Sequence, residues 1–150
     1  GNKPDVKYFD ELFKISKNQI IWGINNFNME YKGFVVWVKT NIPESFNMSM
    51  AEIASLSEGL TTTSKVFYNS SNRKGKSIHP TQKPIKLYEW LLINYAKPGQ
   101  KIFDSHLGSG SIGIACHNLG FDLDACEIDK DYFQDANQRL KIHQMQKTIW

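Results

Sequence analysis

Residues 101–129, KIFDSHLGSGSIGIACHNLGFDLDACEID, confine this chain to few folds. Lys101–Phe103 reads as a short strand, Asp104–Gly110 as a glycine-bearing loop and Ser111–Leu119 as a helix. Leu123–Cys126 reads as a second strand, followed by the carboxylate of Glu127. Ile112, Ala115, Cys116 and Leu119 recur at helical spacing, so one face of that helix is apolar and suited to lie on a sheet. Gly108 and Gly110 carry no Cβ, which lets the backbone turn tightly and approach a ligand. The helix N-terminus behind them offers unpaired N–H groups and a partial positive charge, matched to a carboxylate or a phosphate. An acid at the carboxyl end of the neighbouring strand stands where open α/β sheets bind ligands, placed for a ribose diol. The stretch therefore predicts a nucleoside-cofactor site.

Which nucleoside it takes depends on spacing. Residues 108–113, GSGSIG, match the dinucleotide fingerprint G-x-G-x-x-G, a pattern short enough to arise by chance. The first glycine comes four residues after Asp104, and Glu127 follows Gly113 sooner than the usual spacing of about 20 residues. Both features argue against NAD. The plain alternative is a glycine-rich turn with no ligand.

Upstream stands His79-Pro80-Thr81-Gln82-Lys83-Pro84. Read alone, it is a capped helix start: Thr81 as N-cap, Gln82 and Lys83 in the first turn, Pro84 tolerated there. Ile85, Tyr88, Leu91, Leu92 and Tyr95 follow as an apolar stripe. HPTQKP, then DSHLGSGS, then CEID, in that order, resembles the DNA amino-methyltransferases that modify adenine N6 or cytosine N4. The resemblance is to the circularly permuted group whose cofactor motifs come last, and its motifs span about a third of the chain, residues 78–129. It implies a Rossmann-like class I methyltransferase sheet, an α/β fold with helices on both faces. It also implies S-adenosyl-L-methionine as cofactor, DNA as partner and a setting in restriction–modification. Thr81, Gln82 and Lys83, with Asp104 and the loop Gly108, Ser109, Gly110 and Ser111, would hold the methionine end. Glu127 would hold the ribose. His106 stands where the family often has an aromatic beside the cofactor; a solvated loop histidine is the other reading.

One family motif is missing. The exocyclic amine of a base is a poor nucleophile because its lone pair is delocalised into the ring. The family's D/N/S-P-P-Y/F/W segment supplies the acceptor for that amine and an aromatic that stacks on the flipped base, a contact worth about 1–3 kcal/mol. No Pro-Pro pair occurs in these 150 residues. The expectation is a fragment or a catalytically incomplete member, inactive by itself, with adenine N6 favoured over cytosine N4 as the family target. A non-catalytic DNA- or cofactor-binding module is the alternative, and completion by a second chain is a third account. Loss of the strand bearing that motif would leave unpaired sheet edges, hence self-association.

Size and composition fit this reading without proving it. A single methyltransferase domain or fragment over 1–150 has room for a core, with roughly 70% of the unfolded surface buried at this size. A net charge of +3 is compatible with nucleic acid, yet solvated lysines explain it equally. Cys116 and Cys126 match no zinc spacing and suit a reducing cytoplasm. No apolar run approaches the length of a membrane span, and the N-terminus lacks a signal-peptide pattern.

Nearer the N-terminus, Val6, Phe9, Leu12 and Phe13 mark an amphipathic helix behind Pro4-Asp5, ending near residues 16–18. Gln19–Trp22 reads as a buried parallel strand closed by Gly23. Residues 23–27, GINNF, resemble the family's post-strand turn, with Ile24 in place of a glycine. Asn25 and Phe27 are candidates to face the flipped base, with core packing an equal reading for Phe27. Gly33–Lys39 is a strong strand and Lys65–Tyr68 another. Pro43–Gly59 fits a short helix or an edge strand. Residues 69–77, NSSNRKGKS, place Arg73, Lys74 and Lys76 on a polar loop suited to phosphate contacts. Residues of about 40–78 are thus expected as a variable, DNA-contacting insertion, and 79–143 as the cofactor-binding half. Tyr132, Phe133, Ala136 and Leu140 mark a last helix.

Overall fold

The computed structural model describes residues 6–27, 29–71, 82–105, 110–125, 138 and 140–145. Thr81, His106, Gly108, Ser109, Glu127, Arg73, Lys74, Lys76 and Cys126 lie outside these residues. Two compact units divide the chain, Gly1–Tyr68 and Asn69–Trp150.

The first unit opens with helix α1 (Val6–Ile15), followed by strand β1 (Ile20–Trp22) and a 3-10 turn (Ile24–Asn26). Strands β2 (Gly33–Lys39), β3 (Ala51–Leu56) and β4 (Lys65–Asn69) complete a four-stranded sheet in the order β1-β3-β2-β4. β1 pairs antiparallel with β3, Ile21 opposite Ser55, where a parallel strand was expected. The apolar run marked a strand correctly, but its residues are half-buried rather than buried, and an apolar run carries no information on direction. Direction is set by β3, a segment whose own sequence was ambiguous. AEIASL is made of good helix formers, yet it lies between β1 and β2 as an inner strand, neither helix nor edge. Tertiary context overrides its propensity: Val35 pairs with Ala54 and Gly33 with Leu56, so its small side chains and Leu56 close one sheet face.

Buried Val35, Trp37, Ala54 and Leu56 share that face by strand alternation. At its open end the Lys39 ammonium sits 2.9 Å from Glu52 and 5.3 Å over the Trp37 ring, so a largely buried cation has both a carboxylate and a π-face. α1 buries Phe9, which meets Phe27 edge-on at a centroid distance of 5.0 Å.

The second unit holds helix α2 (Ile85–Tyr95), strand β5 (Lys101–Asp104), helix α3 (Ser111–Leu119) and strand β6 (Asp122–Ala125). Residues 138 and 140–145 are helical. β5 and β6 pair in parallel, Lys101 opposite Asp122 through Asp104 opposite Ala125, with α3 as the crossover between them. This is the order of strand, helix and strand expected from the sequence. α2 begins later than expected. Its cap is Pro84 in extended conformation, which leaves Gln82 and Lys83 ahead of the helix and removes the N-cap role assigned to Thr81. The cause is local, because the ring of Pro84 disfavours helical backbone at the residue before it.

α2 and α3 pack on each other around Leu92, Ala115 and Cys116, with Ile85, Tyr88, Ile102, Ile112, Phe121 and Leu123 against them. Leu87, outside the expected stripe, is fully buried, whereas Leu119 stays 37% exposed. α3 ends in a Schellman arrangement. Gly120 takes φ 76°, Phe121 donates its N–H to the Cys116 carbonyl at 2.9 Å, and the Phe121 ring folds onto the Cys116 cluster.

Candidate functional site

The carboxyl ends of β5 and β6 lie side by side, since Asp104 and Ala125 are register partners. Asp104 is half-buried at the end of β5, and Ser105 follows it. Gly110 is the N-cap of α3, with φ 84° and ψ 12°. That left-handed geometry suits glycine, which as the N-cap residue supplies no side-chain cap of its own. The first amides of α3 have no acceptor within the helix, and a helix N-terminus carries a partial positive charge that suits an anion. Ser111 is buried at 2% exposure directly behind it.

The electrostatics of this end reach one turn into the helix. The Cys116 thiol is pushed up to about 11, first by burial and then by the charge of Asp104. Asp104 thus carries its negative charge into the strand–helix junction, and Cys116 stays a protonated, inert packing group.

Asp104 at the end of β5 and Gly110 and Ser111 at the start of α3 therefore belong to the same end of the β5–α3–β6 unit. Gln82 and Lys83 are half-buried on the approach to α2 in the same unit. Asn25 and Phe27 belong to the first unit, Asn25 exposed on the 3-10 turn and Phe27 edge-on against Phe9. Among the described residues no group of three or more His, Cys, Asp or Glu is placed to hold a metal ion. Nor is any helix among them long and apolar enough to cross a membrane. Sequence reasoning missed the contacts of Leu140 and His143 with α3. They join residues about 25 positions apart, and no local periodicity reports such a contact.

A family model for DNA methylases of the N6/N4 type matches residues 12–138, most of the chain. The chain belongs to the DNA methylase family. The type II methyltransferase M.HpaI of Haemophilus parainfluenzae is 36% identical over 77 residues, 51% of this chain and 24% of that protein. The type II methyltransferase M2.DpnII of Streptococcus pneumoniae is 36% identical over 63 residues, 42% of this chain and 24% of that one. The chain thus aligns with about a quarter of the length of these curated relatives. Among solved structures, the M1.HpyAVI–SAM complex superposes with a TM-score of 0.54 at 25% identity, covering 89% of this chain and 68% of that one. The cytosine-N4-specific PvuII DNA methyltransferase gives a TM-score of 0.57 at 14% identity, covering 89% and 56%. The fold of this family member is accordingly that of class I DNA methyltransferases.

Proposed function

We propose that this chain forms the cofactor-holding part of an S-adenosyl-L-methionine-dependent DNA methyltransferase acting on an exocyclic amine, adenine N6 ahead of cytosine N4. The observation that carries the reading is the junction of Asp104, Gly110 and Ser111 beside the end of β6. Its donor set fits an amino-acid end group. A half-buried carboxylate suits an ammonium, and the positive end of a helix suits a carboxylate. A relative of similar fold was solved as a SAM complex, which supports the same choice.

When bound, S-adenosylmethionine supplies a methyl group on a sulfonium, an electrophile that needs no further activation. The work left to this chain is to bind, orient and exclude water. In this reading Asp104 and the amides of Ser111 and its neighbours, with Thr81, Gln82 and Lys83, hold the methionine end. Gly108 and Ser109 hold that end with them, His106 flanks the cofactor, and Glu127 holds the ribose. Arg73, Lys74 and Lys76 meet DNA phosphates, while Asn25 and Phe27 meet the base. The acceptor for the base amine comes from a Pro-Pro-bearing segment outside these 150 residues, on a longer polypeptide or a second chain, and the chain alone is inactive.

Calorimetric titration with S-adenosylhomocysteine tests the cofactor assignment. Replacing Glu127 removes a carboxylate–hydroxyl bond of about 1.5–3 kcal/mol, so Glu127→Ala is expected to weaken binding about tenfold or more. Unchanged affinity would take Glu127 out of the site, and competition by NAD would redirect the reading to a dinucleotide. The absence of a Pro-Pro pair also favours a second reading, a cofactor- or DNA-binding module without catalysis. Methyl transfer to a duplex once the missing segment is supplied separates the two.

A further inference from the structure

The helical segment at 140–145 crosses α3 at two places. Leu140 lies over Gly113: a Cβ built there would be 3.4 Å from Leu140 Cδ2 and 3.8 Å from Leu123 Cδ2, ordinary contact distances, so Leu140 packs against the first half of α3. One and a half turns further on, His143 Nε2 and Asn118 Oδ1 are 2.6 Å apart, the ring N–H donating to the amide oxygen. The His117 ring meets His143 edge-on at 5.7 Å. α3 is thus held near both ends of its nine residues by one segment, while its opposite side packs on α2.

The Leu140 contact lies two residues from Ser111, beside the amides that open the helix. We infer that Leu140 and His143 are positioning residues for the cofactor: the strut they form fixes the tilt of α3, so that its first turn stays aimed at the ligand. Given two anchor points, α3 cannot pivot about either. With the His143 anchor lost, it rocks about Gly113 and carries Gly110 and Ser111 with it. This inference rests on the cofactor reading above and adds residues on the far side of α3 that touch no ligand.

The test is S-adenosylhomocysteine affinity of the full chain by calorimetry. His143→Leu and Leu140→Ala are each expected to weaken it about three- to tenfold, the size of one lost hydrogen bond or a loosened contact. His143→Gln, whose amide nitrogen reproduces the donor, is expected to restore it. Leu91→Val, in the α2 core, serves as the control for general loosening. Wild-type affinity in both His143→Leu and Leu140→Ala would overturn the proposal. So would equal losses in the Leu91→Val control, or failure of His143→Gln to rescue. Should His143→Leu not fold, Asn118→Ala removes the acceptor instead and is read the same way. If the unsubstituted chain binds no S-adenosylhomocysteine, the cofactor reading fails on its own account and this inference falls with it.

Discussion

Cys116 illustrates how a side chain can be read from its neighbours. It was expected to be apolar packing and is, buried at 1% exposure between α2 and β6. What no spacing revealed is the charge of Asp104 acting on it from the end of β5. Burial and that charge move the thiol from its usual 9.0 to about 11. As pH rises from 9 towards 11, the unfolded chain releases this proton while the folded chain keeps it, so stability falls. Below that range the contribution is intact. Urea unfolding across pH 8–11 is therefore expected to show a shallower decline in Cys116→Ala than in the unsubstituted chain. Parallel declines would point instead to the half-buried tyrosines, Tyr31 and Tyr95, both also shifted upward by desolvation. Gly110 makes the converse point: its place as a glycine was legible, and its role as a left-handed cap without a side-chain partner was not.

At the level of elements, the second unit was the more legible one. A parallel strand pair with a helical crossover is local in sequence, so β5, α3 and β6 were delimited almost to the residue. α2 was placed correctly but started too early, because proline chemistry at residue 84 outweighs the capping tendency of Thr81. Its stripe was also misjudged, since Leu87 contributes more than Tyr95 does. Leu87→Ala is expected to cost about 2–5 kcal/mol, read as a lowered urea midpoint at unchanged slope. Loss of under 1 kcal/mol would show that the cavity collapses or that Leu87 packs loosely. In the first unit, β1 and β3 were misread together, because an antiparallel partner more than thirty residues away decides the direction of one and the very existence of the other.

On the scale of the whole molecule, among the described residues β5 pairs with β6 alone, and a two-stranded parallel sheet is short of partners. The face of this pair away from α3 carries Lys101, Phe103, Asp122 and Asp124 by alternation, with Phe103 exposed and Lys101 2.9 Å from Asp124. That ion pair is open to solvent and contributes little. We expect concentration-dependent self-association of the chain in sedimentation experiments. A monodisperse monomer that unfolds cooperatively would contradict this. The sequence by itself determined the family, the order of β5, α3 and β6 and the places of Asp104, Gly110 and Ser111 along them, because motif spacing and helix or strand periodicity report each of these. Only the tertiary structure decided the direction of β1, the inner place of β3 and the strut from Leu140 and His143 to α3. Those depend on which distant segments meet, and neither periodicity nor local propensity encodes the meeting of segments far apart in the chain.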